Sequence, residues 1–160
     1  MKLAEFNVAP ADELTSDLLA CCDIPSWAAT LLQKRPYDGL KALLDTADEA
    51  AGRLTTHEVD RALAKHPRIG ERPTGQSAEA GWSRQEQSGV TPDEALAEGN
   101  RAYEERFGRV FLICATGLDK EQVLAALRQR LTHDEEEEAA VVKDELRKIT
   151  LLRLEKLVTE

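Results

Sequence analysis

Aromatic residues and cysteines are scarce in this chain, and each scarcity excludes a class of structure. Phe, Trp and Tyr make up 4% of the 160 residues, so leucine and alanine supply most of the apolar surface, which favours helices over sheets. The cysteines Cys21, Cys22 and Cys114 are odd in number and form no CxxC motif, so they make a poor disulfide framework. We therefore expect buried, reduced thiols in a cytosolic protein. A catalytic Cys114 is the alternative, and it is disfavoured because no histidine lies near it in the sequence.

Long apolar runs and excess positive charge are also absent. No run approaches the roughly 20 apolar residues that span a bilayer. The N-terminal segment Met1–Phe6 lacks the apolar stretch of a secretory signal. The net charge of −9 disfavours binding to nucleic acids and to anionic membranes. We therefore expect cytoplasmic localisation, with no nucleic-acid partner and no membrane partner.

Motifs for metals, nucleotides and covalent catalysis are missing as well. His57, His66 and His133 do not stand four residues apart, and no HExxH motif is present. The chain has no GxxxxGK[ST], GxGxxG or GxSxG motif. We expect no metal and no cofactor. The run Glu135–Glu138 is predicted to be a solvated first helical turn, where negative charge suits the helix dipole, and a metal site there is the minor alternative.

Helical periodicity dominates what is present. Apolar residues recur three and four apart between Asp38 and Leu54. The run Arg109–Ala115 is strand-like but has no partner strand, so we expect a buried irregular segment, and residues 70–81 are predicted to form a loop. These patterns predict an all-α, single-domain multi-helix bundle of about seven to nine helices over residues 1–160. Capping residues place four further helices over Thr55–Lys65, Thr91–Phe107, Asp119–Leu131 and from residues 132–134 to Val158.

Two polar segments follow the helix that is predicted to end at His66. Pro67 disfavours helical geometry at His66, and the run continues through Arg68-Ile69-Gly70-Glu71-Arg72 into the loop. Ser83, Glu86 and Gln87 are spaced so that on a helix they share one face. An imidazole, a carboxylate and neutral hydrogen-bonding groups suit proton transfer to or from a small polar anion. Taken singly, His66 is also explained as a helix-end residue and Glu86 as a surface carboxylate.

These segments resemble the family of 2-oxo-4-hydroxy-4-carboxy-5-ureidoimidazoline (OHCU) decarboxylases, which complete the conversion of urate to (S)-allantoin. Each motif is weak alone, but the motifs occur in the family's order and span residues 66–154. The predicted N-terminal helices also match the length and order of those in the family. The four motifs are His66-Pro67 with Ile69-Gly70, Ser83-x-x-Glu86-Gln87, Phe111-Leu112-Ile113-Cys114-Ala115 and Ile149-x-x-Leu152-Arg153-Leu154.

The resemblance implies an all-helical, cofactor-free carboxy-lyase that acts as a homodimer on a small ureidoimidazoline substrate. It implies catalytic roles for His66, Glu86 and Arg153, with Arg153 clamping the substrate. The ending Val158-Thr159-Glu160 differs from the peroxisomal tripeptide of many eukaryotic members, so we expect a bacterial cytosolic enzyme. The resemblance further implies substrate contacts by Pro67, Ser83, Arg84, Gln85, Glu86, Gln87, Phe111, Leu112, Ile113, Cys114 and Ala115.

The chemistry of this reaction agrees with the residues. Loss of CO₂ leaves an electron pair that the substrate's own ring and C=N bond can take up, so pyridoxal, thiamine and metal are not required. Arg153 lies among leucines, and a buried guanidinium needs a polar or anionic partner, to which we expect the substrate to contribute. The sequence leaves open whether His66 or Glu86 gives the final proton. Two alternatives are a non-catalytic helical interaction module and a hydrolase acting on 5-hydroxyisourate.

Overall fold

The chain folds into helices joined by turns and irregular segments. The computed structural model describes residues 1–71 and 75–160, and within them no strand occurs apart from one isolated parallel bridge between Lys2 and Thr159. The all-α prediction is confirmed. In the described residues, no helix has the length and apolar character needed to cross a membrane. The helices are α1 (Leu3–Val8), α2 (Ala11–Cys21), α3 (Pro25–Gln33), α4 (Leu40–Gly52), α5 (Thr56–Leu63), α6 (Ala78–Glu86), α7 (Glu94–Phe107), α8 (Lys120–Arg130) and α9 (Glu135–Leu157).

Side-chain caps explain several of the helix ends that the sequence predicts. The Glu58 amide donates to Thr55 Oγ1 at 3.1 Å, and the Thr55 amide donates to Glu58 Oε1 at 3.0 Å, so the predicted capping box opens α5. Asp119 caps α8 by accepting a hydrogen bond from the Gln122 amide at 2.9 Å. Gly108 ends α7 in the left-handed region with φ of 70°, as its position after Phe107 predicts.

Two of the predicted boundaries are wrong. Helix α7 is capped by Asp93, not by Thr91, because the Asp93 carboxylate accepts from the Leu96 amide at 2.8 Å. The predicted loop over residues 70–81 is shorter, because Ser77 caps α6 and draws Gly81 into that helix. Residues 72–74 of this predicted loop lie outside the described residues.

The chain divides into two compact units, and the first comprises residues 1–62 and 147–160. Within it α2 packs against α3, and α3 packs against α4. The indole of Trp27 is buried and donates to the Ala47 carbonyl of α4 at 3.1 Å. Near the end of the chain, Arg147 of α9 pairs with Asp48 of α4 at 2.9 Å. Aromatic packing and this ion pair therefore hold α4 against both α3 and α9.

The second unit comprises residues 63–146, and within it α7 packs against α8. The run Arg109–Ala115 is irregular and largely buried, as predicted. The ring of Phe111 meets Tyr103 of α7 edge-on, with 5.1 Å between the ring centroids, which fixes this run against α7. The prediction of one domain over residues 1–160 stays a prediction. The buried core of the second unit is formed by Ile69, Val90, Leu96, Tyr103, Phe111, Ala115, Val123, Leu124 and Leu127.

Candidate active site

His66 lies in a turn directly after α5. Its amide donates to the Leu63 carbonyl at 2.9 Å, which closes the turn, and Pro67 prevents the helix from continuing. His66 and Pro67 are both half-buried, so the imidazole lies where the protein surface and the core meet. Helix α5 thus ends at Leu63, within two residues of the predicted end at Lys65, and the turn leaves the His66 side chain partly accessible to a small molecule.

The end of α6 presents a buried polar face. Ser83, Glu86 and Gln87 are 4%, 8% and 5% exposed, so the predicted shared face of these three residues is confirmed. Arg84 and Gln85 are exposed instead, and the Arg84 guanidinium donates to the Gly75 carbonyl at 2.8 Å. Helical periodicity explains the difference, because residues i+1 and i+2 from Ser83 point away from its face. Three of the five predicted residues here thus share one environment.

The carboxylate of Glu86 acts electrostatically on Cys114 in the irregular segment. Burial raises the pKa of the Cys114 thiol, a hydrogen bond from the Thr116 backbone lowers it, and the negative charges of Glu145 and Glu86 raise it. Glu145 is itself 8% exposed, so the second unit holds two buried carboxylates near this thiol. Sequence reasoning missed Glu145. The available signal was its spacing in the last helix, three residues after Val142 and four before Ile149, which places it on their apolar face.

Arg130 holds the irregular segment 109–115 in place. Within this segment Phe111, Leu112 and Ala115 are buried, whereas Ile113 and Cys114 are half-buried. The Arg130 guanidinium donates to the Leu112 carbonyl at 2.6 Å and lies 4.5 Å from the centroid of the Phe111 ring. A backbone with an irregular course is thereby fixed by a buried cation.

Glu138 balances the charge of Arg130, which the sequence did not predict. Glu135, Glu136 and Glu137 are exposed, as a solvated helix start requires, but Glu138 is 0% exposed, so the prediction is wrong at this residue. Its Oε1 accepts from Arg130 Nε at 2.7 Å and from the Tyr103 hydroxyl at 2.6 Å, and its Oε2 lies 3.1 Å from His133 Nδ1. Helical periodicity turns this fourth glutamate inward, where the cation offsets its burial. Burial and the hydrogen bond to Glu138 raise the pKa of Tyr103 to about 12.

Arg153 belongs to the first unit, whereas His66 and Glu86 belong to the second. Arg153 is 2% exposed, so its predicted burial is confirmed, and its Nη1 donates to the Ala20 carbonyl at 3.3 Å. Burial raises the pKa of Cys21 and of Cys22 to about 12, although the positive charge of Arg153 lowers both. All three cysteines are free, as predicted. The predicted burial is confirmed for Cys21 and Cys22 and is wrong for Cys114, which is half-buried.

A metal site has no grouped ligands in the part of the chain that the structure describes. Among residues 1–71 and 75–160, no three side chains of His, Cys, Asp or Glu are grouped so that they could hold a metal ion. Glu138, the buried member of the acidic run, instead pairs with Arg130 and Tyr103. The expectation of no metal and no cofactor stays a prediction for activity measurements.

The sequence profile of the OHCU decarboxylase family matches residues 7–155. The chain belongs to the OHCU decarboxylase family. The 2-oxo-4-hydroxy-4-carboxy-5-ureidoimidazoline decarboxylase of Amia calva is 30% identical over 141 residues, which are 84% of this chain and 81% of that relative. The family resemblance inferred from the four motifs is therefore confirmed.

Two further comparisons bear on length and fold. The uric acid degradation bifunctional protein TTL of Arabidopsis thaliana is 28% identical over 148 residues, which are 88% of this chain but 46% of that relative. This family member thus spans about half the length of that bifunctional protein. A crystal structure of OHCU decarboxylase in the presence of (S)-allantoin shares the fold with a TM-score of 0.67 and 26% identity, covering 91% of this chain and 96% of that one.

Proposed function

We propose that this family member is a cofactor-independent carboxy-lyase that converts OHCU to (S)-allantoin in urate degradation. The observation that carries the proposal is the family match over residues 7–155. It is supported by the likeness to an OHCU decarboxylase crystallised in the presence of (S)-allantoin. We further propose that the enzyme acts in the cytoplasm and as a homodimer.

The reaction breaks one carbon–carbon bond and adds one proton. The carboxylate of the substrate leaves as CO₂, and its bonding pair passes into the ring and its C=N bond. A proton then returns to the ring carbon from one face, which gives a single enantiomer. Because the electron sink belongs to the substrate, the protein has to bind, orient and exchange protons rather than supply a cofactor.

His66 and Glu86 are the proposed proton-exchanging groups. The partial exposure of His66 suits an acid that hydrogen-bonds the departing carboxylate or the substrate hydroxyl. Glu86 is buried on the same helix face as Ser83 and Gln87, so its carboxylate would meet the ring in surroundings with little water. An asymmetric placement of these groups around the substrate would explain a single product enantiomer.

Arg153 and the polar backbone supply binding. The Arg153 guanidinium donates one hydrogen bond to the Ala20 carbonyl, and its planar fork suits a carboxylate or a carbonyl oxygen of the substrate. Ser83 and the backbone of Ile113 are proposed to bind the ureido and ring amides. The backbone of residues 111–115 is suited to this role because the bond from Arg130 to Leu112 fixes its course.

The proposal is tested by assaying the purified protein on freshly generated OHCU, with circular dichroism of the product. We expect optically active allantoin, undiminished after exhaustive chelation and dialysis. His66→Ala should lower kcat by roughly 10²-fold or more, the scale of a positioned acid or base. Wild-type protein that leaves the spontaneous, racemic reaction unchanged would overturn the proposal in favour of a non-catalytic helical module. Activity that is lost on chelation and restored by a divalent metal would overturn cofactor independence.

A further inference from the structure

The segment after His66 lies along one face of α7. Leu96, Asn100 and Glu104 are spaced four apart on this helix and therefore form one stripe. Asn100 Nδ2 donates to the Ile69 carbonyl at 2.9 Å, and Glu104 Oε1 accepts from Arg68 Nε at 2.7 Å. Residues 68 to 70 thus run antiparallel to the stripe, with Arg68 against Glu104 and Ile69 against Asn100.

Gly70 completes this register, and a larger residue would be strained in its place. Its φ is +91°, and a Cβ atom there would lie 2.8 Å from Leu96 Cδ2. On the other side, Gln87 Oε1 accepts from the Gly70 amide at 2.9 Å, and Gln87 Nε2 donates weakly to the Glu71 carbonyl at 3.4 Å. Two side-chain amides, Asn100 and Gln87, therefore bind three consecutive backbone residues.

Asn100 makes this bond at a cost to stability. The residue is 6% exposed, and its Oδ1 is buried without a hydrogen-bond partner among residues 1–71 and 75–160. An unpaired buried carbonyl is unfavourable. A leucine at this position would remove Oδ1 but would leave the Ile69 carbonyl without the donor that Asn100 supplies. The role of this amide is therefore to place the Ile69 carbonyl, which lies three residues beyond His66.

We propose that Asn100 is a positioning residue for His66. It fixes the Ile69 backbone against α7, and with Gln87 it holds the backbone that follows His66 and Pro67, which orients the imidazole. This inference rests on the proposed catalytic role of His66. A small displacement of an acid or base lowers the rate of the chemical step more than it lowers substrate binding. The bond from Gly70 also gives Gln87 a backbone-holding role besides its predicted contact with substrate.

The test compares Asn100→Leu with wild type and with Val123→Ala, a core substitution on α8 that makes no hydrogen bond to the His66 segment. Asn100→Leu should lower kcat by roughly 10-fold or more and leave KM within about threefold, because orientation is lost while substrate contacts remain. Its thermal midpoint should change little, since one unpaired buried carbonyl, Asn100 Oδ1, is exchanged for another, that of Ile69. Val123→Ala should lower the thermal midpoint and leave kcat of the folded protein unchanged. Asn100→Ser leaves space for a bridging water, so its kcat should fall between those of wild type and Asn100→Leu. This variant also keeps the test valid if the leucine variant fails to fold.

A double-mutant cycle identifies the group through which Asn100 acts. In a His66→Ala background, adding Asn100→Leu should cause no further loss of kcat, because the group it positions is already absent. A full additional loss would overturn the inference, as would wild-type kcat in both Asn100 variants. Imidazole NMR gives a readout that does not need activity, since the chain has only three histidines. Asn100→Leu should shift or broaden the His66 signals and leave those of His57 unchanged. Unaltered His66 signals would contradict the positioning role, whether or not the wild type is active on OHCU. A wild type without OHCU activity would instead contradict the proposed function.

Discussion

Glu86 combines burial with a place on the polar face of α6, and this combination predicts its kinetic effect. Glu86→Gln keeps the shape and most hydrogen bonds but cannot exchange a proton. We expect kcat to fall by roughly 10²-fold, with a smaller change in KM. The enantiomeric purity of allantoin should also fall if Glu86 controls the face that is protonated. Michaelis curves and circular dichroism measure both.

Glu79→Gln is the matched control for Glu86, because it makes the same chemical change at the start of the same helix. It should leave both kinetic constants unchanged. If Glu86→Gln keeps wild-type kcat and one enantiomer, Glu86 only binds, and His66 becomes the first candidate for the proton donor.

Arg153 is buried in α9, and its forked guanidinium predicts a role in binding. Arg153→Lys keeps the charge and one donor to the Ala20 carbonyl but loses the fork. We expect KM to rise by about tenfold, the value of one charge-assisted hydrogen bond, while kcat changes less. Arg147→Lys is the control on the same helix, and a rise in KM of equal size there would contradict a specific role for Arg153.

At the scale of the element, the first turn of α9 divides into three solvated glutamates and one buried glutamate. Glu138→Ala leaves Arg130 buried without its carboxylate, so we expect the free energy of unfolding to fall by about 3–5 kcal/mol. Glu136→Ala, in the same turn but exposed, should change it by no more than about 0.5 kcal/mol. Urea unfolding curves measure the loss of free energy in each variant, and equal losses would show that the buried pair contributes nothing specific.

Elements were also where sequence prediction worked best. The capping box at Thr55 and Glu58, the Asp119 cap and the Gly108 ending are local signals, and the structure has all three. The start of α7 was misplaced because Thr91 and Asp93 are both good caps two residues apart. Competition between such neighbours is decided by which residue reaches a free amide.

At the scale of the whole molecule, the prediction concerns the oligomeric state. The apolar residues Val142, Leu146 and Ile149 of α9 are spaced three and four apart, which suits either a dimer interface or an internal core, and each is at most 3% exposed within a single chain. They therefore serve the chain's own core. The proposed homodimer rests on the family alone, and sedimentation velocity at micromolar concentration should show a species of twice the monomer mass. A monomer alone across that range would contradict it.

The sequence by itself determined the helical class, most helix ends and the family of this protein. These follow from short-range causes: apolar periodicity, capping side chains, a proline after His66 and motifs of a few residues. It also determined that Ser83, Glu86 and Gln87 share a face, because four-residue spacing on a helix requires it.

Only the tertiary structure decided which polar residues are buried and what they hold. The local sequence does not distinguish Glu138 from its three acidic neighbours, because it does not show that Arg130 and Tyr103 bind this carboxylate in the core. Likewise, nothing in the sequence around Asn100 indicates that its amide meets the Ile69 carbonyl, because that contact joins residues 31 positions apart. Hydrogen bonds between distant segments depend on packing, and packing is set by the whole fold rather than by any local pattern.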